Sequence, residues 1–140
     1  MPDLAELRQQ LDELTGANLE GVLIVEDDLG FAAYLKRVLE AMRYQVTCVE
    51  TGEATLEVTC PLLAIVDLRL PGMNGIEAIQ TMRERCPATQ FIIVTNYADT
   101  DTAIAAAQMG VRYFRKGQEY HTNLRGLLDA VYEATHRRPQ

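Results

Sequence analysis

Five short apolar runs punctuate this chain at regular intervals: VLIV (22–25), QVTCV (45–49), LLAIVD (62–67), QFIIVT (90–95) and VRYF (111–114). Several carry β-branched residues on consecutive positions, the pattern of strands buried on both faces of a parallel sheet because helices cover each side. Between the runs the apolar spacing changes to three and four. Phe31, Leu35, Val38, Leu39 and Met42 gather on one face of a helix that Asp28 is placed to cap. Ile76, Ile79 and Met82 do the same for a helix from about Gly75 to Cys86, which Pro87 ends. A further helix runs from roughly Thr100 to Met109 and stops at Gly110, and a last one spans about Tyr120 to Thr135. Strands alternating with helices in a chain of 140 residues predict one α/β domain, a doubly wound sheet with right-handed crossovers. In such sheets the ligand site lies beyond the carboxyl ends of the strands.

Two stretches fit this pattern less well. TGEATLEVTCP leaves fewer than three turns before Pro61, and Thr55, Val58 and Thr59 are poor helix formers, so a short or partly irregular element is expected there. In the first twenty residues Leu4, Leu7, Leu11 and Leu14 repeat as a two-heptad seam, which Gly16 and Asn18 would end. Two heptads are too few to argue for a coiled coil. A helix packed on its own domain, or a linker, is expected rather than a dimer zipper. The chain therefore divides into a helical leader (1–20), one α/β domain (21–136) and a tail (137–140).

Composition removes several function classes. The formal net charge is -7, from 13 basic and 20 acidic side chains, which disfavours direct binding to nucleic acid across the surface. No apolar run approaches the length of about 18 residues that a membrane span needs, and the N-terminus lacks the stretches of a secretion signal, so a cytoplasmic location is expected. Cys48, Cys60 and Cys86 are odd in number and widely spaced. They read as reduced thiols packed as small apolar groups. His121 and His136 have no partner at metal-ligand spacing.

The reactive side chains collect where the topology puts the strand ends. Glu26, Asp27 and Asp28 follow the first run, Asp67 ends the third, Thr95 and Asn96 end the fourth, and Lys116 follows the fifth. EDD alone reads as a solvated turn plus a helix cap. With Asp67 at the end of a buried strand, however, three carboxylates converge, and like charges that close need neutralising. All the donors are hard oxygens, which suits magnesium, or manganese, and not zinc. Pro71, Gly72 and Gly75 shape a tight loop after Asp67 that can present the carboxylate and a backbone carbonyl to one cation. A carboxylate so placed can be a nucleophile toward phosphorus, with Lys116 and Thr95 as donors to the phosphoryl oxygens. Singly, Lys116 reads as a solvated strand-end lysine and Thr95 as an ordinary strand residue; the constellation carries the argument.

VLIVEDD, AIVDLRLPGMNGIEAI, IIVT and GVRYFRKG, in this order and at these separations, resemble the receiver domain of response regulators in two-component signalling. The resemblance covers about residues 21–135, and D-x-x-L-P-G-M-N-G is its most distinctive piece. It implies a flavodoxin-like sheet of order 2-1-3-4-5 with helices on both faces. It further implies that Glu26 and Asp27 hold Mg2+, that Asp67 is the phosphoacceptor, and that the Arg69 backbone carbonyl is the third protein ligand. Thr95 corresponds to the switch hydroxyl, Lys116 to the phosphate-binding lysine and Tyr113 to the aromatic switch residue. Asn96, Tyr97 and the Arg69 side chain flank the pocket in family terms. The implied partners are a histidine kinase or phosphotransfer protein and a downstream protein target reached through the face of the fourth helix, fifth strand and fifth helix. The chain is then a phosphoacceptor rather than an enzyme, a monomer or weak homodimer, without direct nucleic acid or membrane binding.

Three positions depart from the family pattern. Lys116 is followed by Gly117, where the family usually has a proline in a cis bond; a cis bond without proline costs about 3 kcal/mol, so trans geometry is expected. Asn96 replaces a small residue, and the second helix is about a turn short. None removes a group the chemistry requires. Two rival readings remain: a pseudo-receiver that keeps the fold as an interaction module, and a metal-dependent phosphatase. The second would need an additional acid–base group, for which the sequence offers no clear candidate. HRRPQ (136–140) is a tail and not a DNA-binding module, so the chain is either a stand-alone receiver or a piece of a longer regulator.

Overall fold

The computed structural model describes residues 3–7, 21–96, 100–116 and 124–136. Five parallel strands, β1 (Gly21–Val25), β2 (Gln45–Val49), β3 (Leu63–Val66), β4 (Gln90–Thr95) and β5 (Arg112–Arg115), form one sheet in the order β2-β1-β3-β4-β5. Four α-helices connect or follow them: α1 (Leu29–Ala41), α2 (Gly75–Arg85), α3 (Thr100–Met109) and α4 (Leu124–Thr135). The sheet order is the one the resemblance implied.

Alternation along the central strands builds two cores, one on each face. Val22, Ile24, Leu63, Ile65, Ile92 and Val94 point toward α1 and α4, where Phe31, Leu35, Leu39, Leu127 and Val131 meet them. Leu23, Val25, Ala64, Val66, Phe91 and Ile93 point the other way, toward Ile79 and Met82 of α2 and Ala106 of α3. Burial on both faces holds only for the three inner strands. β2 and β5 are the sheet edges, and most of their residues are exposed or half-buried.

Between β2 and β3 the chain makes only a 3₁₀ helix, Glu53–Glu57, in keeping with the poor helix formers there. It is held from outside its own ladder. The Arg85 guanidinium donates to the carbonyls of Thr55 at 2.6 Å and Val58 at 2.8 Å. In the leader, residues 4–7 are helical and Leu4 is 85% exposed; Leu11 and Leu14 lie outside the described residues, as does the start of the last predicted helix before Leu124.

The cysteines correct the sequence reading. Cys60 and Cys86 are buried as expected, but they are joined in a disulfide, and Cys48 is exposed on the edge strand β2 instead of packed. Spacing arguments detect pairs close in sequence. These two are separated by 26 positions and meet because the crossover returns the end of α2 to the segment that enters β3.

Candidate functional site

The strand order reverses between β1 and β3, so their carboxyl ends open side by side, and the acidic residues follow those ends. Glu26 continues from β1, its N–H donating to Val49, and Asp67 continues from β3, its N–H donating to Val25 at 2.9 Å. The carboxylates of Glu26, Asp27 and Asp67 each offer an oxygen, and these oxygens lie within 4.8 Å of one another. Glu26 and Asp67 are buried and Asp27 is exposed at the mouth. Asp28 serves the helix instead, as the N-cap of α1, where it accepts from the Phe31 N–H at 3.1 Å. The EDD triplet is thus divided between site and helix.

Lys116 emerges from β5 and crosses the end of β4 to reach this cluster. Its N–H donates to the Thr95 carbonyl at 2.9 Å, which sets the two strand ends in register. Its ammonium is in contact with Glu26 and lies 3.0 Å from Asp67 Oδ2, and it sits 4.9 Å from the centroid of the buried Phe31 ring. Burial acts against the Lys116 charge, but its hydrogen bond to Glu26 and the Asp67 carboxylate more than offset this, so its pKa is raised above the ordinary lysine value. Glu26 behaves otherwise. Desolvation first, then its hydrogen bond to Asp67 and the charge of Asp67, outweigh the effect of Lys116 and push its pKa up to about 8.

The remaining predicted residues are placed unequally. Thr95 is fully buried at the end of β4, directly before the rim. The Arg69 N–H points at Asp67 Oδ1 across a long 3.4 Å. Tyr113 is 37% exposed on β5, and Asn96 is exposed. Tyr97 and Gly117 lie outside the described residues, so the expectation of a trans Lys116–Gly117 bond does too.

The loop after Asp67 is packed closely. Gly75 opens α2 against the chain at Asp67 and Leu68; a Cβ there would contact the Asp67 carbonyl oxygen and sit 2.7 Å from Leu68 Cα. Gly72 takes φ +74°, a left-handed conformation that glycine adopts without penalty. Glu53 of the 3₁₀ helix, which local sequence patterns do not single out, accepts from the Met73 N–H at 2.5 Å. Helical spacing places Phe31 in the core, yet its ring also flanks the Lys116 ammonium. Neither contact leaves a signal in local spacing, because each joins residues at least 20 positions apart.

As a donor set, the rim offers three carboxylates, with no thiol or imidazole among the described residues that form the cluster. That composition suits a hard divalent cation. The buried ammonium beside Asp67 is equally suited to the oxygens of a phosphoryl group.

Comparison with known proteins agrees with this geometry. Photosynthetic apparatus regulatory protein RegA of Rhodobacter capsulatus is 37% identical over 92 residues, covering 64% of this chain and 50% of RegA. DNA-binding transcriptional regulator NtrC of Escherichia coli is 33% identical over 92 residues, covering 64% of this chain and 20% of NtrC. The chain thus spans half, or much less, of the length of these relatives. A response regulator receiver domain protein (CheY-like) from Methanospirillum hungatei superposes with a TM-score of 0.73 at 30% identity, covering 84% of this chain and 94% of that one. Residues 22–119 match the response regulator receiver domain as a family. With that match across most of its length, the described strand order and the acidic rim with its lysine, this chain belongs to the receiver domain family of two-component response regulators.

Proposed function

We propose that Asp67 accepts a phosphoryl group in a magnesium-dependent reaction, from a histidine kinase, a phosphotransfer protein or a small acyl phosphate. The observation that carries the reading is the meeting of Glu26, Asp27 and Asp67 within 4.8 Å, with the Lys116 ammonium 3.0 Å from the Asp67 carboxylate. Glu26, Asp27, Asp67 and the Arg69 carbonyl would hold Mg2+, with Mn2+ an acceptable substitute. The cation supplies charge neutralisation of the phosphoryl oxygens. The protein's own groups do the rest. An Asp67 carboxylate oxygen attacks phosphorus, the bond from phosphorus to the donor's imidazole nitrogen or acyl oxygen breaks, and the electron pair leaves with the donor. Lys116 turns from Asp67 to a phosphoryl oxygen as charge moves onto that group.

Thr95 would then donate its hydroxyl to the new acyl phosphate, and Tyr113, exposed in the present state, would turn inward. This repacks the face of α3, β5 and α4, a two-state element biased by one local charge. Through that face the domain would engage its downstream protein. Arg69, Asn96 and Tyr97 would govern water access to the acyl phosphate.

Intact mass after incubation with acetyl phosphate tests the reading. Wild type gains one phosphoryl group only when magnesium is present, and Asp67→Asn gains none. No gain with any donor or metal would leave a pseudo-receiver, an interaction module without phosphorylation.

A further inference from the structure

The disulfide closes a ring around the phosphoacceptor. Cys60 precedes β3 and Cys86 caps the end of α2, so the covalent loop contains β3, Asp67, the loop that follows it and α2. We propose that Cys60–Cys86 is a reversible redox site whose state sets how firmly the loop after Asp67 is braced.

The bonded pair is linked to that loop by direct contacts. Arg85, adjacent to Cys86, donates to the Thr55 and Val58 carbonyls at 2.6 and 2.8 Å and lies 3.8 Å from the Cys60 sulfur. The disulfide and the guanidinium together pin the 3₁₀ helix and the strand approach to one end of α2. From the other side of that helix, Glu53 accepts from the Met73 N–H at 2.5 Å. Gly72 sits against the same carboxylate, where a Cβ would come within 2.6 Å of Glu53 Oε1, and Gly52 packs on the Met73 carbonyl. The short helix is therefore a strut between the cysteines and the loop that carries the Arg69 carbonyl.

Reduction changes the anchored end of this strut. Two unbonded thiols need more room than a bonded pair, and both sulfurs are buried in a close-packed interior, so the segment around Cys60 has to give. The step is a thiol–disulfide exchange. A thiolate of a dithiol reductant attacks one sulfur, a mixed disulfide forms, and the reductant's second thiol displaces it. Two electrons and two protons pass to Cys60 and Cys86, and the reductant leaves as a disulfide. Oxidation by a small disulfide runs the same exchange backwards: the Cys60 and Cys86 thiols lose two electrons and two protons, and the disulfide leaves as two thiols. Cys60 lines the wall of a cleft of about 350 Å3 together with Leu23, Thr47, Val58 and Pro61, so a small thiol reaches the buried sulfur when the segment around Cys60 opens. Exposed Cys48, on β2, stands outside this arrangement and serves as an internal control for alkylation.

The consequence for cation binding rests on the proposed phosphoacceptor reading; the brace itself does not. The test takes the full chain, oxidised or reduced with dithiothreitol and desalted without oxygen, with thiol status read by alkylation and mass. Met73 amide exchange is followed by NMR and Mn2+ affinity by electron paramagnetic resonance. We expect reduction to speed Met73 exchange about tenfold or more and to weaken Mn2+ binding by up to about tenfold. In the oxidised protein Glu53→Ala reproduces both effects, whereas Glu53→Gln, which keeps an acceptor oxygen, does not. A merely structural staple would move global unfolding and leave Met73 exchange under native conditions unchanged. Equal Met73 exchange in the two verified redox states overturns the proposal, as does a pair that dithiothreitol cannot reduce in the folded protein. If neither form binds Mn2+, the phosphoacceptor reading fails while Met73 exchange still decides the brace.

Discussion

The ammonium of Lys116 lies 3.0 Å from Asp67 Oδ2, a contact that links residues 49 positions apart inside a buried site. The same ammonium touches Glu26, so one cation serves two buried carboxylates. Removing it leaves both without their counter-charge, a change that typically costs about 3–5 kcal/mol. Glu26 can take up a proton instead, which places the expected loss for Lys116→Met at the lower end of that range. Urea unfolding of metal-free protein should show about 3 kcal/mol lost at pH 8 and less at pH 6. An unchanged midpoint at both pH values would mean that the ammonium does not stabilise the cluster.

Glu26 gives the metal-free protein a stability that declines with rising pH. Its pKa goes from 4.5 in the unfolded reference to about 8 in the fold, chiefly by desolvation. Between these values the folded chain holds a proton that the unfolded chain has released, so raising the pH favours unfolding. The contribution is fully present below 4.5 and is lost by the time the pH passes about 8. The slope from this single group is up to about 1.4 kcal/mol per pH unit. Glu26→Gln should flatten it, because an amide keeps the shape and does not titrate. Unfolding curves of the two proteins at pH 5, 6, 7 and 8, in the presence of chelator, make the comparison.

Much of this site was legible because its parts sit at strand ends. Runs such as LLAIVD identify inner strands by their lack of alternation, and the topology rule then gathers Glu26, Asp27, Asp67, Thr95 and Lys116 on one rim. Asp28 was legible as a cap because capping is local. The edge strands were less so: QVTCV groups with the inner runs although Gln45 and Thr47 interrupt it, and as an edge strand β2 is only partly covered, which leaves Cys48 exposed. The disulfide, the Arg85 clamp and the Glu53–Met73 bond were not legible at all. Each depends on where a crossover lands, which residue type and spacing do not encode. The 3₁₀ helix is an intermediate case, since its weak propensity was visible but its support by Arg85 was not.

The end of α1 offers a purely conformational prediction. Arg43 has φ +72°, and its N–H and that of Tyr44 donate to the Glu40 and Leu39 carbonyls at 2.9 and 3.1 Å. This is the Schellman arrangement, in which the left-handed position usually holds glycine. A side chain there costs about 1–2 kcal/mol, while glycine loses about 0.5–1 kcal/mol more backbone entropy on folding. Arg43→Gly should therefore stabilise the protein by about 0.5–1 kcal/mol, seen as a higher urea midpoint with an unchanged slope. A lower midpoint would mean that the arginine side chain contributes more than its backbone costs.

Gly75 joins packing to chemistry most directly. It opens α2 while lying against the backbone of Asp67 and Leu68, and its N–H donates to the Leu68 carbonyl at 2.9 Å. In Gly75→Ala the new Cβ would sit 2.7 Å from Leu68 Cα and would contact the Asp67 carbonyl, which is backbone and cannot turn aside like a flexible side chain. Either α2 backs away or the residues after Asp67 move, at a cost of about 1–3 kcal/mol. Moving them displaces the Arg69 carbonyl relative to the three carboxylates, so Mn2+ affinity should fall together with stability. Glu53→Ala, which releases the far side of the same loop at Met73, should weaken Mn2+ binding with a smaller loss of stability. Titrations and unfolding curves on both variants separate the two effects. A Gly75→Ala protein with undiminished Mn2+ affinity would show that the loop can shift without disturbing the cation site.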